Sequence, residues 1–203
     1  MNYLAHFYLS NENENLILGN LIADSMNGRL DSPKFNIFSA EIIKGIQLHR
    51  EIDSFTDNHP IVRQSIHRLQ SKYHKYSGVI IDMYYDHLLA RNWNQFSNVP
   101  LELYSARVYT IFEENKEIIP FKMNRLVHSM TSRDWLSNYR FEENLNWAFL
   151  GLSKRAKFDS KMEFALTDLM EDYGKYLEEF LIFFPEIIKH CQLFLGDNSK
   201  NII

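Results

Sequence analysis

Apolar residues recur every three or four positions along nearly the whole chain, a spacing typical of amphipathic helices. Only 7 Gly and 5 Pro interrupt the 203 residues, and good helix formers such as Leu, Ile, Glu and Lys recur between them. Strand-like stretches are scarce. We therefore expect an all-α protein of eight or nine helices, folded as a single helical domain over residues 1–203.

The helical periodicity also gives approximate boundaries. It predicts helices near residues 2–10, 14–27, 38–57, 60–74, 78–96, 101–118, 122–138 and 141–157, followed by a long amphipathic region at 160–195. Pro185 predicts a break in that last region. The apolar stretch around it, FLIFFPEII, is shorter than the roughly 20 residues of a membrane span, so we expect a core helix there and no membrane association.

The third helix contains the sequence LHREIDSFTDNHP, in which His49, Asp53 and Asp57 are spaced four residues apart. On a wheel of about 100° per residue, His49 and Asp53 fall among the isoleucines, and the charged residues fall on the opposite side. Polar groups therefore point inward, where a carboxylate needs a partner. Two interpretations remain: a structural His–Asp hydrogen bond, or part of a metal site.

The fifth helix, GVIIDMYYDHLLARNW, repeats this pattern. Asp86 shares its face with apolar residues, and Asp82 lies one turn before it. Two carboxylates at this spacing repel each other unless one is protonated or a cation is near, which favours a metal ion. His87 projects about 100° away from Asp86, which indicates a supporting or surface role.

The first two helices add further inward polar groups. Asn20 precedes Asp24 by one turn in GNLIADSM, and His6 lies on the apolar side of YLAHFYL. His6 alone would suit a hydrogen-bonded core histidine. Several helices that each present an inward His or Asp, however, are typical of metal sites in helical proteins, with ligands that suit Mn, Fe or Mg.

Charge and cysteine content exclude other classes of protein. The formal net charge of -4 argues against general nucleic-acid binding, which favours a basic surface. The single cysteine, Cys191, cannot form an intramolecular disulfide, and the first residues lack the basic and apolar regions of a signal peptide. We expect a cytoplasmic protein.

Four blocks, in order, resemble a known family. MNYLAH, GNLIAD, GIQLHREID with TDNHP, and IDMYYDHLLARNW are similar to acyl carrier protein phosphodiesterase, and the likeness extends over most of the chain. The resemblance implies hydrolysis of holo-acyl carrier protein to 4'-phosphopantetheine and the apo form. It also implies the helical fold of the HD phosphohydrolases and a divalent metal cofactor, most often Mn²⁺, with Mg²⁺ or Fe²⁺ as alternatives.

The resemblance also suggests a ligand set. The family blocks point to His6 and Asp24, and the inward faces of the helices point to His49, Asp53 and Asp86. The sequence departs from the usual HD pattern because it contains no His-Asp dipeptide.

The implied chemistry is attack by water on a phosphodiester, with Asp24, His49 and Asp53 as the catalytic residues. Asp24 or Asp53 would orient or deprotonate the water. No activated nucleophile is evident, so direct attack by water is preferred over a covalent intermediate. Arg50 would contact a phosphate oxygen, or else form a surface salt bridge. The alternative functions are an HD-type hydrolase of a small phosphate ester or nucleotide, and a non-catalytic helical module that binds an acidic protein.

An acidic carrier protein needs a local basic surface on a chain of negative net charge. The segment SKRAKFDSK supplies Lys154, Arg155 and Lys157, with Lys161 nearby. A second basic cluster lies on the fourth helix and contains Arg63, Arg68, Lys72, Lys75, His67 and His74. Either cluster could instead be an ordinary solvated helix face.

Overall fold

The computed structural model describes residues 1–196, which form α-helices joined by turns and short 3-10 segments. Eleven α-helices and no β-strand occur in this part of the chain. They are α1 (Tyr3–Tyr8), α2 (Glu14–Ala23), α3 (Ala40–Asn58), α4 (Pro60–Tyr73), α5 (Ser77–Arg91), α6 (Leu101–Glu114), α7 (Asn124–Ser132), α8 (Trp135–Asn138), α9 (Glu142–Arg155), α10 (Ala165–Glu171) and α11 (Tyr173–Leu195). The all-α fold class predicted from the sequence is confirmed.

The predicted helix at 122–138 is divided into α7 and α8. The division occurs at Asp134, whose backbone is left-handed with φ of 46°. Its side chain accepts a hydrogen bond from the backbone N–H of Ser137 and so caps the start of α8. A residue with positive φ cannot continue a right-handed helix, so the chain must turn here.

The predicted break at Pro185 is wrong, because α11 continues through this residue. A proline inside a helix removes one backbone hydrogen bond. Burial of the neighbouring Phe183, Phe184 and Ile187 offsets that loss. The long C-terminal region is instead interrupted at Asp172, between α10 and α11. None of the helices in residues 1–196 has the length and apolar character that crossing a membrane requires.

Two helices are central to the core. All residues from Leu16 to Ala23 in α2 are buried, and so are those from Met83 to Ala90 in α5. Helices buried on all sides must be covered by other elements. Helix α1 packs against both of them, α3 packs along α2, and α11 packs against α3, α4 and α5. The first three helices and α5 therefore meet around one region of the core.

The backbones of α2 and α3 touch at Gly19 and Gly45. A Cβ atom added to Gly19 would lie 2.3 Å from the carbonyl oxygen of Ile42 and 2.6 Å from the Cα of Gly45. No side chain fits in this contact, which sets the distance between the helices. Asp24 follows Gly19 by five residues, and His49 follows Gly45 by four. The contact therefore fixes where these two polar side chains meet.

We predict that Gly45→Ala lowers the free energy of unfolding by at least about 1–3 kcal/mol, because the added methyl group must push the helices apart. Denaturant-induced unfolding followed by circular dichroism measures the change. Gly151→Ala is the matched control, since nothing lies within 4 Å of a Cβ built on this helical glycine. It should be neutral or stabilising by up to about 1 kcal/mol. Equal stability of the Gly45→Ala variant and the native protein would contradict the proposed close contact.

Candidate metal centre

Three side chains from two helices converge in a cleft. His6 of α1, and His49 and Asp53 of α3, place potential ligand atoms within 4.8 Å of one another. The Nε2 atom of His6 is 3.2 Å from one carboxylate oxygen of Asp53, and the Nε2 atom of His49 is 3.1 Å from the other. Asp24 approaches from the end of α2, with an oxygen 3.5 Å from Nε2 of His49. The predicted inward face of α3 therefore lines a site shared by three helices.

The cluster is open on one side. The imidazole rings of His6 and His49 stack with their centroids 4.3 Å apart. The side chain of His6 is buried, that of His49 is 14% exposed and that of Asp53 is 46% exposed. Asp53 is thus less buried than the helical wheel suggested, because it borders the cleft and not the packed core. A substrate or ion from solvent can reach its carboxylate.

The tautomer of His6 is fixed by Asn20. The amide nitrogen of Asn20 donates to the Ser10 hydroxyl and to the Leu16 carbonyl, which orients its oxygen towards His6. The Nδ1 atom of His6, 3.0 Å away, therefore donates to that oxygen. In the neutral imidazole only one nitrogen carries a proton, so the lone pair of Nε2 faces the cluster. This is the arrangement of a metal-ligating histidine held by an outer hydrogen bond.

The electrostatics of the cluster favour a bound cation. Burial lowers the pKa of His6, so its imidazole is neutral near pH 7. Burial alone would raise the pKa of Asp53, but its side-chain hydrogen bond with His49 holds it below its usual range. An imidazole lone pair and an ionised carboxylate 3.2 Å apart need a proton or a metal ion between them. Deprotonated ligands of both kinds are the states that bind a metal.

The residues present fit a divalent metal ion. Two imidazole nitrogens and one or two carboxylates form a donor set found with Mn, Fe and Zn. The Nε2 atom of His49 faces Asp24 and Asp53, whereas its buried Nδ1 atom has no hydrogen-bond partner within residues 1–196. A metal ion coordinated by Nε2 of His49 would use the lone pair that faces Asp24 and Asp53.

Comparison with known protein families shows which family the chain belongs to. The family model described as acyl carrier protein phosphodiesterase matches residues 1–187. The chain belongs to this family. The match includes the three helices that form the cluster.

Individual members of the acyl carrier protein phosphodiesterase family align over nearly their whole length. The chain is 27% identical over 195 residues to the enzyme of that name from Photorhabdus laumondii, covering 95% of this chain and 96% of the relative. It is 28% identical to the one from Escherichia coli O6:H1, covering 94% and 97% of the two chains. No solved structure gives a significant match.

In this member of the acyl carrier protein phosphodiesterase family, Asp86 lies apart from the cluster. Its carboxylate is fully buried and accepts hydrogen bonds from the backbone N–H groups of Asn2, Leu4 and Ala5, at the start of α1. Burial raises its pKa to about 7, although these hydrogen bonds act in the opposite direction. Asp82 pairs with the ammonium group of Met1 at 2.8 Å. The positive partners of these two acids are thus the N-terminus of α1 and the Met1 ammonium group.

The remaining polar residues singled out on α3 and α5 are also outside the cluster. Asp57 is mostly exposed. Its pKa is raised, first by the partial burial of its carboxylate and second by the negative charge of the nearby Asp82. His87 is buried, not at the surface, and its Nδ1 atom bonds the carbonyl of Tyr139 at 2.7 Å. Burial lowers the pKa of His87 to about 4. A neutral His87 that bonds one backbone carbonyl has a structural role.

Arg50 lies in the same cleft as Asp24, His49 and Asp53. Its guanidinium donates to the carbonyl of Gly28 at 2.7 Å, and within residues 1–196 it forms no ion pair with a carboxylate. The salt bridge considered from the sequence is therefore not formed in this part of the chain. The guanidinium keeps donors that a phosphate can use.

The two basic clusters differ in how many of their charges are paired. Lys154, Arg155 and Lys157 are exposed at the C-terminal end of α9, which packs against α10. On α4, Arg68 pairs with the buried Glu179, and Lys72 pairs with Asp168. Two of the six members of the α4 cluster are thus used to pack α4 against α10 and α11.

Sequence reasoning missed one residue at the cleft. Tyr3 lines it, and burial followed by the nearby Asp24 carboxylate raises the tyrosine pKa. The Tyr3 hydroxyl therefore stays protonated near pH 7 and can donate a hydrogen bond towards Asp24. Tyr3 is part of the MNYLAH block and lies three residues before His6 on the same helical face, which was the available signal.

We predict that Mn²⁺ stabilises the native protein by about 2.7 kcal/mol at 100 times its dissociation constant, relative to protein in EDTA. His6→Ala and His49→Ala should lose most of this stabilisation, because each removes one ligand. His128→Ala, at an exposed position on α7, is the control and should keep it. Thermal unfolding with and without Mn²⁺ measures the effect. Undiminished stabilisation in both ligand variants would locate the metal elsewhere.

We predict that Asp86→Ala lowers the free energy of unfolding in EDTA by about 2 kcal/mol or more, because three backbone N–H groups lose their acceptor. Asp159→Ala, at an exposed position, should change it by less than about 0.5 kcal/mol. Denaturant unfolding without metal measures both. If Asp86 were a metal ligand only, its loss would matter in Mn²⁺ and have no effect in EDTA.

Proposed function

We propose that this protein is a metal-dependent phosphodiesterase that acts in the cytoplasm and hydrolyses holo-acyl carrier protein. The products would be 4'-phosphopantetheine and apo-acyl carrier protein. The observation that carries the proposal is the cluster of His6, His49 and Asp53 in a chain of the acyl carrier protein phosphodiesterase family. Mn²⁺ is the proposed cofactor, with Mg²⁺ or Fe²⁺ as alternatives, since imidazole and carboxylate ligands suit these ions.

The metal would be held by His6, His49 and Asp53, with Asp24 as a further ligand or as a base. The chemistry that such a cation supplies is positive charge for the phosphoryl oxygens and a lower pKa for water. Asn20 supports this role, because it keeps the proton of His6 on the nitrogen that faces away from the cluster.

The protein side chains would then position the reactants and move one proton. Asp24, near Tyr3, or the exposed edge of Asp53 accepts a proton from the attacking water. The water oxygen bonds to phosphorus as the bond from phosphorus to the serine oxygen breaks, and that oxygen takes up a proton. Arg50 donates to a phosphoryl oxygen on which negative charge accumulates.

We predict that the purified protein with Mn²⁺ removes the prosthetic group from holo-acyl carrier protein, and that Asp24→Ala and His49→Ala each lower kcat at least about 100-fold. Intact mass spectrometry of the carrier protein follows the reaction. The exposed His128→Ala variant is the control and should match the native rate. Both active-site variants should retain a cooperative unfolding transition.

Two outcomes would contradict the proposed function, and each would favour a different one. Cleavage of a small phosphodiester, with the carrier protein left intact under Mn²⁺, Mg²⁺ and Fe²⁺, would assign the protein to small phosphate esters. Absence of either reaction, together with specific binding of the carrier protein, would indicate a non-catalytic module.

A further inference from the structure

Three cations surround the short loop that follows Asp24. Lys122, Lys34 and Arg50 each donate a hydrogen bond to a backbone carbonyl of residues 25–28. The acceptors are the carbonyl oxygens of Ser25, Asn27 and Gly28. Because this loop borders the same cleft as the metal-ligand cluster, the three positive charges lie beside the site.

None of these three cations is neutralised by a carboxylate within residues 1–196. Eight other Lys and Arg side chains in this part of the chain do form such ion pairs: Arg29, Arg68, Lys72, Arg91, Arg107, Lys116, Arg140 and Lys175. A lysine ammonium has three donors, so one bond to a carbonyl leaves two available. Carbonyl oxygens hold the cations in place without cancelling their charge. The three cations around the loop therefore keep their positive charge at fixed positions.

Large exposed apolar side chains lie near two of these cations in the sequence. Phe121 is 89% exposed and precedes Lys122, and Ile37 is 78% exposed and follows Lys34 by three residues. They are the two most exposed large hydrophobic residues in the described part of the chain. Exposed aromatic and aliphatic side chains among cations are typical of a protein-binding surface, whereas a site for a small anion needs only the charges.

We propose that an acidic protein substrate docks beside the cleft, so that its phosphodiester enters the cleft. The docking surface, here termed the 25–28 face, consists of Lys34, Ile37, Arg50, Phe121 and Lys122. This inference rests on the proposed function and names the occupant as the acidic surface of the carrier protein around its modified serine. Arg50 lies in the cleft and reaches the phosphate, and the two lysines contact carboxylates. Phe121 and Ile37 contact apolar side chains between those carboxylates.

The test measures binding of holo-acyl carrier protein in EDTA, where turnover is stopped, by isothermal titration calorimetry. Lys34→Glu combined with Lys122→Glu should weaken binding at least about tenfold and flatten its dependence on salt, because screening acts on exposed charges. Phe121→Ala should weaken binding severalfold with little change in salt dependence. An unchanged melting temperature shows that each variant is folded.

Two further double variants make the same change in charge elsewhere. Lys175→Glu with Lys189→Glu, on α11, should bind like the native protein. Lys154→Glu with Lys157→Glu tests the rival basic surface at the end of α9. Loss of affinity in that variant, with native affinity in the Lys34 and Lys122 variant, would overturn the proposal and place docking on α9.

Failure of the docking proposal and failure of the proposed function give different results. If the native protein binds the carrier protein through the 25–28 face but releases no phosphopantetheine with Mn²⁺, the docking surface stands and the hydrolase does not. If the native protein releases phosphopantetheine and the Lys34 and Lys122 variant binds normally, the hydrolase stands and the docking surface does not. No binding by the native protein overturns the docking proposal.

Discussion

The direct contact between the backbones of α2 and α3 at Gly19 and Gly45 is the constraint on which the site depends. Packed helices usually lie about 8–10 Å apart between axes, at a distance set by the side chains at their contact. Here the helices approach more closely, so that the short carboxylate of Asp24 reaches to 3.5 Å from the imidazole of His49. Any residue larger than glycine at this crossing would move one set of potential ligands away from the other.

The third component of the cluster, His6, is positioned by a second constraint. Helix α1 has only six residues and cannot be stable alone. Its N-terminus is held by the carboxylate of Asp86, which accepts from three of its first backbone N–H groups. Asn20 of α2 then holds the His6 ring itself. A buried acid on α5 thus acts on the site indirectly, through the position of a short helix.

The sequence predicted the faces of helices better than the contacts between them. His49 and Asp53 were placed together because a period of 3.6 residues is a local property of α3. The roles of Asp86 and Tyr3 were not predicted, since both depend on which helix crosses which, and periodicity does not contain that information. The continuity of α11 through Pro185 was missed for a related reason: burial by neighbouring helices outweighed a local signal.

The distribution of charge explains how a chain of net charge -4 can attract an acidic partner. At physiological ionic strength the screening length is about 8 Å, so a docking protein senses local charges and not the total. Many cations of this protein are paired with carboxylates and contribute little beyond the surface, as Arg68 with Glu179 illustrates. Cations held by backbone carbonyls keep their charge at a fixed position. Local attraction beside the cleft is therefore compatible with a negative net charge.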